Sequence, residues 1–296
     1  MSPDVSTQMS TQMSTQVSLS PDSAERGYNN RAAVPEYPRY FSRWAIESAR
    51  VRSALHCVLD VRYGPRPKET MDLFTAGGRR GLLFFIHGGY WRSLDKSEHS
   101  FVAEPFVEHG YDVAVINYEL CPSVDIATIE DECRSALQFI VKNAKAYGIN
   151  ADRIVISGHS AGGHLTAMLH TTDWRELGID PSIIVGGCAI SGVYDLEPLL
   201  MTSINGDLRL DDDSARASSP VQSKPAIKAP LFLAAGAAET SEFVRQTQLM
   251  WNAWPDARPS GMKTPMMIDG VHHFGVLDCL ADGSHPLFRE TMRLFG

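Results

Sequence analysis

Five residues, Gly158-His159-Ser160-Ala161-Gly162, constrain this chain more than any other stretch because of what flanks them. The four residues before them, 154 to 157, read Ile-Val-Ile-Ser, apolar enough for a strand buried on both faces. Gly163-His164-Leu165 follows and opens a helical pattern. A serine between two glycines at a strand-to-helix junction marks a sharp, strained turn that leaves no room for a Cβ at position 158 or 162. The turn lifts the serine onto the helix N-terminus, where free N–H groups and the helix dipole favour a developing anion.

The rest of the chain repeats the same alternation. Residues 55 to 62 and 70 to 74 flank the turn-rich Tyr63-Gly64-Pro65-Arg66-Pro67 and read as an antiparallel pair. Continuous apolar runs at 82 to 86, 113 to 116, 183 to 190, 231 to 235 and 265 to 268 read as further buried strands. Between two of them, Ile126, Ile129, Cys133, Leu137, Ile140 and Val141 recur at helical spacing, with Asp125 placed to cap the start and Gly148 the end. Helical stretches are expected near 240 to 254 and 286 to 295. Strands alternating with helices predict an α/β architecture: a mostly parallel sheet covered by helices on both faces.

Residues 6 to 17 are three copies of Ser-Thr-Gln-Met/Val, and residues 1 to 25 are expected to be a disordered polar tail ahead of a single domain over 26 to 296. Within 28 to 52, Tyr37, Tyr40, Phe41 and Trp44 share one helical face and Ile46 falls off it; the pattern alone assigns that segment no role. The segment from about 195 to 225 has few clean helical repeats and reads as a cap or pocket wall, with Asp211-Asp212-Asp213 as a solvated turn.

Charge and cysteine usage narrow the classes. A net charge of -8 argues against a nucleic-acid footprint and for small-molecule chemistry. The 5 cysteines are widely spaced and without Cys/His ligand spacing, so free thiols in a reducing cytoplasm are expected, with no metal and no cofactor. No segment has the roughly 18 apolar residues of a membrane span.

A serine on such a turn needs N–H groups aimed at an oxyanion, a base and an acid. His87-Gly88-Gly89-Tyr90-Trp91, directly after the strand at 82 to 86, can supply the first. Gly89 and Tyr90 are the expected donors, Gly88 an alternative, and Ala161 the donor that follows Ser160. Chain order then requires nucleophile, acid, base. In the loop Asp269-Gly270-Val271-His272-His273-Phe274 the base is His273, with His272 as the fallback, because Phe274 can pack against the imidazole. Glu239 is the first carboxylate after the strand at 231 to 235 and is the expected acid; Glu242 lies a turn further on, and Asp269 is the rival. His87, His159 and His164 read as loop-fixing or packing residues, and His99, His109, His170 and His285 as ordinary surface or helix residues. Tyr90 and Trp91 put aromatic surface beside the reacting carbonyl, as a flat substrate would require, although Trp91 could equally pack the loop onto the core.

With these residues quoted, a likeness becomes visible. HGGYW (87 to 91), GHSAGGHL (158 to 165), ETSEFVRQ (239 to 246) and HHF (272 to 274), together with YNNR (28 to 31), Tyr63-Gly64 and MDLF (71 to 74), resemble the arylformamidase, or kynurenine formamidase, branch of the α/β-hydrolase superfamily, near the hormone-sensitive-lipase-like esterases. The likeness runs from about residue 28 to the end. It implies the α/β-hydrolase fold, Ser160 as nucleophile, His273 as base and Glu239 at the acid position, where eukaryotic members of the family more often have Asp. It also implies an acyl-enzyme route acting on a small acyl or formyl substrate such as N-formylkynurenine. A carboxylesterase for small aryl or short-chain esters is the alternative, a catalytically silent ligand-binding fold is a reading of another class, and a homodimer is left open.

Overall fold

The computed structural model describes residues 19–77 and 80–296; the Ser-Thr-Gln repeat lies outside them. Among the described residues, eight strands form one sheet: β1 (Cys57–Arg62), β2 (Thr70–Phe74), β3 (Leu82–Ile86), β4 (Asp112–Ile116), β5 (Ile154–His159), β6 (Ile184–Ile190), β7 (Leu231–Gly236) and β8 (Met266–Ile268). Their spatial order is β1-β2-β4-β3-β5-β6-β7-β8. β1 and β2 pair antiparallel and β2 joins β4 antiparallel, while every later pairing is parallel.

The apolar runs are continuous because both faces of the sheet are covered. Along β3, Leu82, Phe84 and Ile86 enter one core with Ile129, Cys133 and Leu137, and the alternate residues Leu83 and Phe85 enter a second core with Trp44 and Phe106. The period of two along a strand thus feeds two separate helix layers. The helices are α1 (Pro21–Tyr28), α2 (Asn30–Ala33), α3 (Tyr37–Ala54), α4 (Ala103–Glu108), α5 (Ile126–Asn143), α6 (Ala161–His170), α7 (Asn205–Leu208), α8 (Asp212–Ala217), α9 (Ser241–Ala253), α10 (Gly275–Ala281) and α11 (Pro286–Arg293). In α5 the Asp125 side chain accepts from the Thr128 N–H, so the expected start cap is in place, whereas the helix gives way at Ala144 to a short 3-10 turn, and it is this turn that Gly148 closes at φ 68°. On α3, Tyr37, Tyr40 and Phe41 all lie against the Phe274 ring, with centroids 5.5 to 6.3 Å away, whereas Ile46 is 67% exposed.

Two expectations about the ends and insertions need correction. The tail boundary at 25 is too late: residues 21 to 25 belong to α1, started by Ser20, whose side chain accepts from the Ser23 N–H, and by Pro21 at the first helical position. The triple aspartate is not a simple turn either. Asp211 caps α8 through a reciprocal capping box with Ser214.

The parallel order has a direct consequence for function. It brings the C-terminal ends of β3, β5, β6, β7 and β8 to one edge of the sheet, the place where open α/β sheets hold ligands.

Candidate active site

Ser160 sits between β5 and α6 at φ 57°, ψ -119°, a left-handed conformation that is costly for a residue with a Cβ. Backbone packing enforces it. A Cβ on Gly158 would lie 2.2 Å from the Gly162 carbonyl oxygen, and one on Gly162 would lie 2.0 Å from that of Ile86. The Ser160 N–H donates to the Ile190 carbonyl at 2.8 Å, which ties the turn to β6.

At the end of β7 the chain turns back so that Glu239 Oε1 accepts from the Gly236 N–H at 2.7 Å and from Ser191 Oγ at 2.5 Å. Its other oxygen, Oε2, is 2.7 Å from His273 Nδ1, and both side chains are almost wholly buried. The carboxylate therefore fixes the ring so that Nδ1 carries the proton and Nε2 is left as the basic nitrogen. Ser160 and His273 line the same cavity, and Ser160 Oγ makes no hydrogen bond to any described residue. The rivals are engaged elsewhere: Glu242 Oε2 accepts from Tyr28 and Arg245, Asp269 is exposed, and His272 Nδ1 accepts from the Phe274 and Gly275 N–H groups at the start of α10.

Three neighbours hold the His273 loop and its ring. Buried His159, whose pKa burial depresses well below the ordinary histidine value, is a neutral ring that donates from Nε2 to the His273 carbonyl at 2.8 Å. Phe243 and Phe274 flank the imidazole at centroid distances of 4.5 and 5.4 Å.

The loop after β3 runs beside the serine. A Cβ on Gly88 would come within 2.8 Å of the His159 carbonyl oxygen and 3.1 Å of the Ser160 Cβ, and Gly89, Tyr90 and Trp91 follow at φ 113°, 52° and 54°. The N–H groups of Gly88, Gly89, Tyr90 and Ala161 donate to no other described residue, so they are free to meet an oxyanion. Tyr90 lines the cavity and its hydroxyl donates to the Tyr28 carbonyl. Trp91 does not line it. The left-handed turn at 90 and 91 points the indole into the core, fully buried and edge-on to His164 at 4.9 Å, which corrects the expectation that it touches substrate. His99 is fully buried rather than superficial, stacking on His87 at 5.5 Å, and burial pushes its pKa down to about 3; His170 is a helix residue, the last of α6, and is buried too.

The cavity encloses about 660 Å³, part of it open to solvent. One wall comes from the N-terminal segment that the pattern left without a role. α1 and α2 are clamped over the mouth by Tyr28, whose hydroxyl donates to Glu242 at 3.0 Å and accepts from Gln246 at 2.7 Å, and by Thr240, which donates to the Gly27 carbonyl at 2.6 Å. From the expected cap segment, Ser203 and Ile204 reach the cavity, while Leu196, Leu199, Leu208 and Ala215 fill the core beneath it.

Ser191 is the residue that sequence reasoning missed. Fully buried at φ 51°, it donates to the carboxylate that orients the imidazole. Ser191→Ala removes one of the two donors that hold Glu239 Oε1, loosens the carboxylate that orients the imidazole, and is expected to lower kcat/KM about 10-fold. A rate matching the wild type would remove Ser191 from the site.

A hydroxyl, a carboxylate-bound imidazole and free N–H groups around one cavity, on this sheet, define a serine hydrolase of the α/β-hydrolase fold. Residues 71–183 match the BD-FAE family model. The kynurenine formamidase of Salmo salar is 28% identical over 256 residues, covering 83% of this chain and 85% of that protein. A structure described as a candidate thioesterase from Silicibacter sp. superposes with a TM-score of 0.78 at 33% identity, over 90% of this chain and 98% of that one. Esterase B of Lactobacillus rhamnosis, at 18% identity and a TM-score of 0.64 over 88% of this chain and 95% of that one, shows the shared fold. The chain is a serine hydrolase of the α/β-hydrolase superfamily, and over most of its length it is similar to kynurenine formamidases. Among the described residues no helix is long and apolar enough to cross a membrane.

Proposed function

We propose that this enzyme hydrolyses an aryl formamide, with N-formylkynurenine giving kynurenine and formate as the favoured reaction. The observation that carries the reading is the likeness to the salmon kynurenine formamidase over most of both chains, matched here by a carboxylate–imidazole pair on the cavity that holds Ser160.

In this mechanism Ser160 Oγ attacks the formyl carbon as His273 Nε2 takes its proton. The carbonyl oxygen becomes an oxyanion held by the N–H groups of Ala161 and of Gly89 and Tyr90, with Gly88 beside them. The C–N bond breaks as the imidazolium returns the proton to the arylamine nitrogen, leaving Ser160 formylated. Water then gives a proton to His273, its oxygen attacks the formyl carbon, and formate leaves as the proton returns to Ser160. Glu239 keeps its own negative charge throughout and stabilises the imidazolium. Free thiols at all five cysteines support a cytoplasmic setting.

A second reading, a carboxylesterase for small aryl or short-chain esters, is favoured by the 33% identity to the candidate thioesterase. Parallel assays of N-formylkynurenine and p-nitrophenyl acetate separate the two. The formamidase reading expects kcat/KM at least about tenfold higher for the formamide; the reverse order would replace it with the esterase.

A further inference from the structure

We propose that Asn30 and Arg31 form the subsite for the leaving-group side of the substrate, selecting a leaving group that carries a hydrogen-bond donor, an acceptor and a carboxylate; this rests on the formamidase reading. Asn30 opens α2, lines the same cavity as Ser160 and His273, and is only 3% exposed. Neither Nδ2 nor Oδ1 of its side chain has a partner. Buried carboxamides are ordinarily paired, and this one contributes no side-chain hydrogen bond to the fold. The contrast with its neighbour is direct: the Asn29 side chain accepts from the Ala32 N–H and donates to Glu25.

A carboxamide that offers one donor face and one acceptor face is complemented by a ligand that offers both. A small acyl group has no N–H to give. An arylamine with an amino-acid tail has a carbonyl for Nδ2 and an N–H for Oδ1.

Arg31 adds the charge. Its guanidinium lies over the rings of Tyr37 and Phe41, 5.4 and 5.7 Å from their centroids, and reaches Ser93 Oγ only at 3.4 Å. Among the described residues no carboxylate pairs with it, whereas Arg92, on the same cavity, is bound to Asp207 at 2.6 Å. Two aromatic rings hold a guanidinium in place without neutralising it, and such a group pairs best with a carboxylate. The structure thus sets a neutral reader and a cation side by side on one wall.

The test compares N-formylkynurenine with formanilide, which has the same scissile bond but no ketone, ammonium or carboxylate, in the wild type, Asn30→Ala and Arg31→Gln. Asn30→Ala is expected to lower kcat/KM for N-formylkynurenine 10- to 100-fold, mainly through KM, and that loss should exceed the loss on formanilide at least tenfold. Arg31→Gln, an exposed side chain whose loss does not threaten folding, should raise KM for N-formylkynurenine at least fivefold more than for formanilide, with Arg31→Lys restoring part of it. Equal losses on both substrates, or no loss on either, would overturn the subsite and leave the formamidase reading standing. A wild type that turns over neither formamide would overturn both.

Discussion

Ser160→Ala is expected to lower kcat about 10⁴- to 10⁶-fold on every acyl substrate, the scale on which loss of an activated serine acts. The folded state should hardly notice. Ser160 Oγ bonds to no described residue, and alanine meets the same φ of 57° with the same Cβ, so the strain of the turn is unchanged. The thermal midpoint should therefore stay within about 2 °C of the wild type, in line with a change of well under 1 kcal/mol. Activity and unfolding measured on one preparation check both halves. Activity within tenfold of the wild type would remove Ser160 from the chemistry.

Gly162→Ala is expected to have the largest effect on the fold. Its Cβ would sit 2.0 Å from the Ile86 carbonyl oxygen and within 2.8 Å of that of His87, and both obstacles are backbone rather than flexible side chain. Relief requires β3 and α6 to separate, which disturbs the core on either side of the elbow. A loss above about 4 kcal/mol, read as denaturant midpoint or as insolubility, is the expected outcome. Gly206→Ala is the matched control: nothing lies within 4 Å of its added Cβ, and stability should change by less than about 1 kcal/mol. If Gly162→Ala unfolds at the same denaturant concentration as the control, the elbow is not held as described.

Much of this arrangement was legible in the sequence because the signals are local. The buried strands show as continuous apolar runs, and the elbow shows as a five-residue Gly-x-Ser-x-Gly pattern whose first glycine is required by a contact with Gly162, four residues on. The preference for His273 over His272 rested on Phe274, whose ring does flank the imidazole, while His272 instead serves the start of α10. Glu239, picked by its position after its strand alone, lies with Oε2 2.7 Å from His273 Nδ1.

What was missed depends on contacts between distant segments. Ser191 reaches Glu239 because β6 and β7 are neighbours, a fact that no property of an isolated Ile-Ser-Gly triplet records. Trp91 was turned inward by left-handed backbone at 90 and 91, where the residue types, Tyr and Trp, give no warning. His99 is buried under α3, a helix brought there by tertiary packing. The N-terminal wall had one readable signal, Ser20-Pro21 as a helix start, but its placement over the mouth depends on Tyr28 meeting Glu242 and Gln246, more than 200 residues away.

The central claim is that a single serine at the elbow is the nucleophile of a working hydrolase. Treating the full-length protein with a fluorophosphonate probe and mapping the adduct by peptide mass spectrometry tests it most directly. One stoichiometric adduct is expected, on Ser160, and it should disappear in Glu239→Gln at matched times because the imidazole is no longer held to take the proton. An unlabelled wild type, or an adduct on any other serine, would contradict it.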